Sequence, residues 1–306
     1  MYDTLSIGSG LIDIFISSDQ FELKPEGDRL MLCQYYGDKI EVDSFSVLTG
    51  GGAGNTSVGF SRAGFNAAVV TETGRDTLSQ VLLSDFHKEY VSTNFVVQEK
   101  KEQTGGSVIL VGTDGGRSVL VHRGAASLLD SEDIPIDTVA RTKWVHLSSI
   151  SGRLETLRTI GSARREVKNL SWNPGSGEIQ LLTERQISPA ELGCDIFIVN
   201  KEEWDSLGEI QGTIQAEVST IIVTNGPHGG HIRPDGQDWQ NFSIAPVNTV
   251  DETGAGDAFA VGYVSAKLYG HSSDQAINWA ISNSSSVVSY FGAKPGLLKK
   301  HQYSNL

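Results

Sequence analysis

The feature that most constrains the fold of this chain is the alternation of short apolar runs with longer segments of helical spacing. Residues 67–71, 196–199 and 221–224 are apolar at nearly every position, which is typical of strands buried on both faces. Strands separated by helices along the chain indicate βαβ units and a mainly parallel sheet. The sequence therefore predicts an α/β fold.

Other segments continue this alternation. Further predicted strands are residues 5–16, 144–148 and 170–173, and the predicted helices are residues 56–63, 76–90, 154–168 and 258–268. No low-complexity linker and no internal repeat interrupts the pattern, so we predict one main domain over residues 1–306.

Two stretches have the spacing of hairpins rather than of βαβ units. Residues 28–47 carry short alternating runs around Gly37 and Asp38, and residues 107–111 and 118–122 flank a Thr-Asp-Gly-Gly turn. They predict a small accessory sheet that covers a cleft or forms a dimer interface. The exposed edge of such a sheet tends to find a partner, which makes a homodimer plausible.

The charge balance restricts the partners of the protein. Against 37 Asp and Glu there are 24 Lys and Arg, so the net charge is -13. Nucleic acids and anionic membranes bind basic surfaces, and we predict neither as a partner. Cys33 and Cys194 are too few for a disulfide framework, and no signal peptide or membrane span is evident, so we expect a cytoplasmic protein.

A glycine-rich turn, residues 251–257, precedes the last predicted helix. Gly254 and Gly256 leave the backbone free, and the N–H groups of a helix N-terminus attract an anion. Asp257 within this turn would repel a phosphate unless it has a chemical task. It is either a general base that deprotonates a nucleophile or simply a helix N-cap.

A second cluster lies near the beginning of the chain. Asp13 stands among apolar residues, where a carboxylate needs a partner, so it is either a structural acceptor or a ligand for substrate hydroxyls. Gly51 and Gly52 precede Asn55 at the start of a helix. This loop is either flexible or, as we favour, a binding loop for a polyol, because three consecutive glycines let a ligand approach the backbone.

Polar residues also follow two predicted strands, where ligands gather in parallel sheets. Asn200 and Glu203 have the spacing to orient water or a divalent cation, or to form a capping box. The turn of residues 224–229 either lines a nucleotide phosphate or is a tight hairpin turn. His228 and His231 lack a further ligand, so we do not expect a metal there.

These motifs together resemble the ribokinase-like carbohydrate kinases, the family of ribokinase, fructokinase and adenosine kinase. The resemblance covers residues 5–295 and rests on four elements in the expected order: Gly51-Gly52-x-x-Asn55, Asn200-x-x-Glu203, Thr224-x-Gly226-x-x-Gly229 and Asp251-x-Thr253-Gly254-Ala255-Gly256-Asp257. The last one matches the C-terminal signature of the family residue for residue.

The resemblance implies a three-layer sandwich, with a central mostly parallel sheet between helices and a β lid from residues 28–48 and 104–123. It implies an ATP-dependent kinase that transfers the γ-phosphoryl group to a hydroxyl of a small sugar. The alternative is a nucleoside kinase, which stacking of Phe15, Tyr35 or Tyr36 on a base would favour. A non-catalytic sensor is the third hypothesis, and Asp257 argues against it because a sensor needs no base.

The resemblance also implies residue roles. The catalytic set is Asp257 as the base and Gly254, Ala255 and Gly256 as the anion hole. The acceptor set is Asp13, Gly51, Gly52 and Asn55, joined by Arg123 if it reaches the cleft rather than solvent. The ATP set is Asn200, Thr224, Gly226, Gly229, Asn283 and Gly292. The metal set is Asn200 and Glu203 for Mg²⁺ through water, and Asp251 and Thr253, with Gly292, for a monovalent cation such as K⁺.

Two positions depart from the family pattern. Glu252 stands where a small residue is more common, and it adds a negative charge near the anion hole unless it points away. Residues 171–175 read Ser-Trp-Asn-Pro-Gly where many sugar kinases carry Asp-x-Asn-x-Arg. The missing Arg removes one contact to phosphate or substrate.

Overall fold

The computed structural model describes residues 1–99, 101–164 and 169–303. Its strands are β1 (Thr4–Ile7), β2 (Leu11–Ser17), β3 (Glu22–Glu26), β4 (Arg29–Cys33), β5 (Ser44–Gly50), β6 (Ala67–Gly74), β7 (Ser92–Glu99), β8 (Gly106–Val111), β9 (Arg117–His122), β10 (Trp144–Leu147), β11 (Leu170–Trp172), β12 (Ile196–Asn200), β13 (Thr220–Thr224), β14 (Gly230–Arg233) and β15 (Gln240–Phe242).

Helices connect most of these strands. They are α1 (Gly52–Arg62), α2 (Thr77–Lys88), α3 (Ile136–Arg141), α4 (Leu154–Arg164), α5 (Ser176–Thr183), α6 (Pro189–Leu192), α7 (Lys201–Ser206), α8 (Gln211–Glu217), α9 (Ala255–Leu268), α10 (Ser273–Val287) and α11 (Lys300–Tyr303). Short 3₁₀ helices cover Gly124–Ser127, Ser131–Asp133, Gly208–Ile210 and Gly226–His228. Residues 165–168 of the helix predicted over 154–168 lie outside the described residues.

A nine-stranded sheet forms the centre, in the order β15-β14-β13-β12-β11-β10-β1-β6-β7. The seven strands from β13 to β7 in this order pair in parallel, whereas β14 pairs antiparallel with both β13 and β15. The predicted α/β fold with a mostly parallel sheet is therefore confirmed.

The apolar strands explain how both faces of this sheet are covered. Along β12, Phe197 and Val199 join one hydrophobic cluster with α3, α4, α5, α6 and α8, while Ile196 and Ile198 join another with α1, α9 and α10. Alternate side chains of a strand point to opposite faces, so a run that is apolar throughout serves two layers of helices.

A second sheet of four strands, β5-β2-β8-β9, stands apart from the central one. The predicted hairpin of residues 107–122 is present as β8 and β9. In the other predicted hairpin the turn is misplaced, because β3 and β4 pair across Gly27 and not across Gly37. Gly27 has a φ of 59°, the left-handed conformation that glycine adopts easily in a tight turn.

The chain passes from one sheet to the other near its beginning. The predicted single strand of residues 5–16 is in fact two strands, β1 in the central sheet and β2 in the four-stranded sheet. Gly8, with a φ of 150°, and Gly10 lie at this crossing. A Cβ on Gly8 would come within 2.9 Å of the Ser148 Cβ, so the crossing packs closely against the end of β10.

No helix among the described residues has the length and hydrophobicity that crossing a membrane requires.

Candidate active site

The glycine loop before α1 is held by the crossing between the sheets. The N–H groups of Ala53 and Gly54 donate to the Ser9 carbonyl at 3.0 and 3.1 Å, and that of Gly52 donates to the Ser9 hydroxyl at 3.2 Å. Gly51 has a φ of 85°, and a Cβ there would lie 2.5 Å from the Ser9 carbonyl oxygen. The amides at the start of α1 thus have hydrogen-bond partners within the protein. The glycine loop is held by these contacts and is not simply a free loop.

Asn55, in the first turn of α1, contacts the acid of the second motif. Its Nδ2 donates a hydrogen bond of 2.8 Å to the Oδ2 of Asp257. Asn55 is 3% exposed, and its Oδ1 has no hydrogen-bond partner among the described residues. A buried amide oxygen without a donor is costly, and a ligand hydroxyl would satisfy it.

A second buried oxygen lies beside the same loop. Ser148 follows β10 and is 4% exposed, and its hydroxyl has no partner among the described residues. A Cβ on Gly52 would approach the Ser148 hydroxyl to 2.8 Å and the Asp257 carboxylate to 3.7 Å. Ser148 was not predicted as a site residue, although it stands at the carboxyl end of a parallel strand, where ligands gather.

Burial raises the pKa of Asp257 from 3.8 to about 6, while the hydrogen bond from Asn55 and the charge of Lys294 act in the opposite direction. Such a pKa suits a general base near neutral pH, because the carboxylate is ionised yet has appreciable proton affinity. The N-cap role that the sequence left open is not observed, because Gly254 is the N-cap of α9.

Asp13, on β2, is buried, and its carboxylate accepts a hydrogen bond from the Ser107 hydroxyl of β8. Burial raises the pKa of Asp13, opposed by that hydrogen bond and by the charge of Lys294. Both interpretations of Asp13, as a structural acceptor and as a ligand for substrate hydroxyls, are therefore consistent with the structure. It links two strands of the four-stranded sheet, and it lies opposite Leu48 on β5, close to the glycine loop.

Lys294 is a charged residue that the sequence analysis did not select. It is 6% exposed, and its Nζ lies 2.8 Å from the Asp85 carboxylate and 2.9 Å from the Thr49 hydroxyl. Because its charge lowers the pKa of both Asp13 and Asp257, it keeps these two acids closer to ionisation than burial alone would allow.

The N-terminus of α9 is open, in contrast to that of α1. Gly254 adopts the left-handed conformation with a φ of 78°, and no described side chain caps this end of the helix. A Cβ on Gly256 would meet nothing within 4 Å. The amide of Ala255, predicted to join the anion hole, donates instead to the Glu252 carbonyl at 3.1 Å. The helix dipole and the amides of an uncapped first turn attract an anion.

A cavity of about 420 Å³ opens beside this helix end. Its wall is more apolar than polar, and the polar side chains in it include Asn200, Thr224 and Glu252, as in small-molecule sites generally. The lining residues are Asn200, Thr224, Gly226, Pro227, Ile244, Ala245, Pro246, Val247, Thr249, Glu252, Ala255, Gly256, Phe259, Ser284, Ser285 and Val288. The segment 244–249 was not foreseen, because it carries no motif and forms neither helix nor strand.

Asn200 and Glu203 form the capping box that the sequence allowed. The Asn200 side chain accepts from the Glu203 amide at 2.8 Å, and the Glu203 carboxylate accepts from the Asn200 amide at 2.9 Å. Burial raises the pKa of Glu203. A direct metal site is not formed, since the described residues contain no cluster of three or more His, Cys, Asp or Glu suited to a metal ion.

The remaining predicted nucleotide residues lie away from this cavity. Asn283 is buried and both ends of its amide are used, by the Ala258 carbonyl at 2.7 Å and the Leu298 amide at 2.9 Å. Gly229 closes the tight turn between β13 and β14, where its φ of 83° requires glycine. Thus Thr224 and Gly226 line the cavity, whereas Gly229 lies in the hairpin turn between β13 and β14.

Gly292 and Arg123 do not line this cavity either. The amide of Gly292 donates to the Asp251 carboxylate at 2.8 Å, and Leu48 fills the space where its Cβ would be. Arg123 follows β9 and is exposed, and the described residues form no ion pair with it.

The two departures from the family pattern have local explanations. Glu252 has a side chain that is 68% exposed and lies 3.9 Å from Arg117 of β9, and it also lines the cavity. Trp172 is fully buried, and Asn173 donates to the Ile198 carbonyl at 2.8 Å. The segment 171–175 therefore serves the core and a neighbouring strand.

An acid with a raised pKa, an open helix N-terminus and an adjacent cavity define a site for transfer of an anionic group. The profile of the family described as "pfkB family carbohydrate kinase" matches residues 5–300. The chain belongs to this family of carbohydrate kinases, as the resemblance predicted.

Relatives of the chain include sugar kinases and nucleoside kinases. It is 27% identical to an uncharacterized sugar kinase of Archaeoglobus fulgidus over 78% of this chain and 98% of that protein. It is 24% identical to a nucleoside kinase of Methanothermobacter thermautotrophicus over 88% of this chain and 83% of that protein. The ribokinase structure from Thermotoga maritima superimposes with a TM-score of 0.79 at 20% identity, covering 100% of this chain and 99% of that one.

Proposed function

We propose that this protein transfers the γ-phosphoryl group of ATP to a hydroxyl of a small sugar. The observation that carries the proposal is the hydrogen bond between Asn55 and Asp257, which joins the two glycine motifs beside an open helix N-terminus. The bond leaves the Asn55 Oδ1 and one Asp257 oxygen to face a single acceptor hydroxyl.

In the proposed reaction, Asn55 and Asp13 hold the sugar, and Ser148 offers a further hydrogen bond. Asp257 accepts the proton of the acceptor hydroxyl as that oxygen bonds to the γ-phosphorus. The bond to the bridging oxygen breaks, and ADP leaves with that electron pair. The open N-terminus of α9 stabilises the negative charge of the transferred group, which is the main catalytic requirement of phosphoryl transfer.

The adenine and ribose of ATP are proposed to occupy the cavity beside α9. Its apolar wall of residues 244–249 suits a base, and Thr224 and Gly226 line the same cavity as Ala255 and Gly256 at the helix end, where phosphates would be. Mg²⁺, when bound with ATP, neutralises phosphate charge. Glu203 has its Oε2 in the capping box, so it would orient a water of the ion through Oε1.

We further propose that the protein acts in the cytoplasm as one domain, with the four-stranded sheet as a lid and dimer surface. Strand β9 is an edge strand of this sheet, and three of its apolar residues, Val119, Leu120 and Val121, are 51%, 62% and 56% exposed. Apolar edge strands tend to pair with another copy. Light scattering of the purified protein should give twice the chain mass, and a single chain mass at all concentrations would contradict this.

The kinase proposal is tested with Mg-ATP and a panel of pentoses, hexoses, deoxysugars and nucleosides in a coupled assay of ADP release. At least one sugar should increase ADP release well above the rate without acceptor, and the phosphorylated product should appear by mass spectrometry. Binding of sugars without any ADP release would favour the sensor hypothesis instead.

A nucleoside acceptor is the second candidate, because an aromatic pair lies near the acceptor side. Phe15 is two residues beyond Asp13 on β2, and its ring centroid lies 6.5 Å from that of Phe291, which is 56% exposed. An exposed ring at this position offers a face for stacking on a base. Tyr35 and Tyr36 do not share this contact and are 68% and 107% exposed. Phe291→Ala should raise the KM for a nucleoside and leave that for a free sugar unchanged.

A further inference from the structure

The carboxylate of Asp251 is buried and held by neutral donors. One oxygen accepts from the Gly292 amide at 2.8 Å, and the other accepts from the Thr253 amide at 3.0 Å and the Thr253 hydroxyl at 2.7 Å. Its side chain is 1% exposed. Neutral donors leave the full negative charge in place, and a buried charge is costly without a cation.

Arg117, the first residue of β9, provides that cation from within the chain. Its NH1 donates to the Asp251 oxygen that also accepts from Thr253, and it lies 3.2 Å from the Thr253 hydroxyl. The partners are 134 residues apart in sequence and belong to different parts of the fold. The guanidinium has several N–H donors in a rigid plane, which allows it to serve neighbouring oxygens together.

Glu252 adds a second acid on the same guanidinium. Its Oε2 lies 3.9 Å from the NH2 of Arg117, and its side chain is 68% exposed. The positive charge of the guanidinium partly offsets the negative charge of Glu252, so the unusual Glu252 and Arg117 are compatible neighbours.

The guanidinium and a monovalent ion compete for the same oxygens. The resemblance assigns such an ion to Asp251 and Thr253, and NH1 is within hydrogen-bonding distance of both. An ion could coordinate them only after Arg117 had left. The predicted K⁺ site therefore does not fit the side chains that surround it.

We propose that Arg117 takes the place of the monovalent cation, so that the enzyme works without K⁺. This inference rests on the proposed kinase function for its effect on rate. Arg117 is a positioning residue, because it contacts residues 251–253 and not a substrate. It holds the segment that leads into Gly254 and the open end of α9.

The first test measures thermal unfolding without any substrate, in KCl and in choline chloride at equal ionic strength. The wild-type Tm should be the same in both salts. Arg117→Ala should unfold at a lower temperature in choline, and KCl should raise its Tm by several degrees because the ion then binds Asp251. Arg141→Ala, which alters an exposed arginine of α3, is the matched control and should show no difference between the salts.

The second test measures turnover in the same salts. Arg117→Ala should lose about 100-fold in kcat in choline, as expected for a small displacement of catalytic groups, and KCl should restore most of the loss. Wild-type turnover should not change between the salts.

A K⁺-dependent Tm or rate of the wild type, or an Arg117→Ala protein that ignores K⁺, would overturn the proposal. If Arg117→Ala does not fold, the wild type and Arg117→Lys are measured instead, and the Tm and turnover of both should be the same with and without K⁺. Because the unfolding test needs no acceptor, absence of kinase activity would count against the proposed function and not against this site.

Discussion

The two glycine-rich turns of this protein look alike in sequence but differ in whether their backbone amides have hydrogen-bond partners within the protein. Each opens a helix and is followed within a few residues by a polar side chain, Asn55 in α1 and Asp257 in α9. The amides at the start of α1 are taken by Ser9, whereas no described side chain caps α9. The first turn positions a side chain, and the second presents backbone to an anion.

This contrast shows that a glycine motif alone does not reveal its task. At Gly51 glycine is needed because a side chain would strike Ser9, a constraint of folding. At Gly256 a side chain would meet nothing, so the fold does not require glycine there.

The largest expected effect comes from the acid of the second turn. Asp257→Asn keeps the shape and the contact with Asn55 but cannot accept the proton, so kcat should fall by about 10²- to 10⁴-fold. Affinity for ATP, measured by calorimetry, should stay the same. Near-normal turnover in the coupled assay would remove Asp257 from the role of base.

The next effect separates the backbone of the second turn from its side chains. Gly256→Pro removes one N–H from the first turn of α9, where proline is tolerated, and should lower kcat by about 10²- to 10³-fold. Gly256→Ala is the matched control, because its methyl group enters open space and keeps the N–H. Equal rates for the two variants would show that this amide does not stabilise the transition state.

The bond between the two turns predicts a pH dependence. Since the pKa of Asp257 is about 6 and the base must be ionised, kcat/KM should fall with decreasing pH below about 6, approaching tenfold per unit. The Asn55 hydrogen bond favours the ionised form, so Asn55→Ala should move this limb to higher pH as well as weaken sugar binding. A pH profile between 4.5 and 8.5 measures both, and a limb that stays in place would contradict the coupling.

The smallest effect concerns the first turn. Ser9→Ala removes the hydroxyl that accepts from Gly52, which should cost about 0.5–1.5 kcal/mol of unfolding free energy. Urea denaturation measures the cost, and kcat at saturating substrates should change little because Asn55 keeps its place. A large loss of kcat without loss of stability would mean that the turn of α1 has a direct catalytic part.

Much of the fold followed from local patterns, because buried parallel strands are short apolar runs whatever their neighbours. The boundaries between strands and the positions of turns were harder to predict. Residues 5–16 carry apolar runs on both sides of Gly8 and Gly10, and the pairing of β2 with β5 and β8 shows that the two runs lie in different sheets. The turn at Gly27 was missed because Gly37-Asp38 is an equally good local turn signal.

The candidate site divides in the same way. Asp257 and Asn55 were selected because their motifs are compact, and the structure brings them together. The wall of residues 244–249 and Lys294 act through position alone, so no spacing in the sequence marks them, whereas Ser148 could have been predicted from its place at the end of a predicted strand. The contact of Arg117 with Asp251 joins residues 134 positions apart and has no local signature.

The crossing between β1 and β2 gives the acceptor site a mechanical property. Asp13 belongs to the four-stranded sheet, whereas Asn55 and Asp257 belong to helices on the central sheet, and residues 8–10 are one connection between the two sheets. A sugar that contacted both sides would bind best in one relative orientation of the two sheets. Any change that favours this orientation would then strengthen sugar binding, and sugar binding would favour this orientation to the same extent.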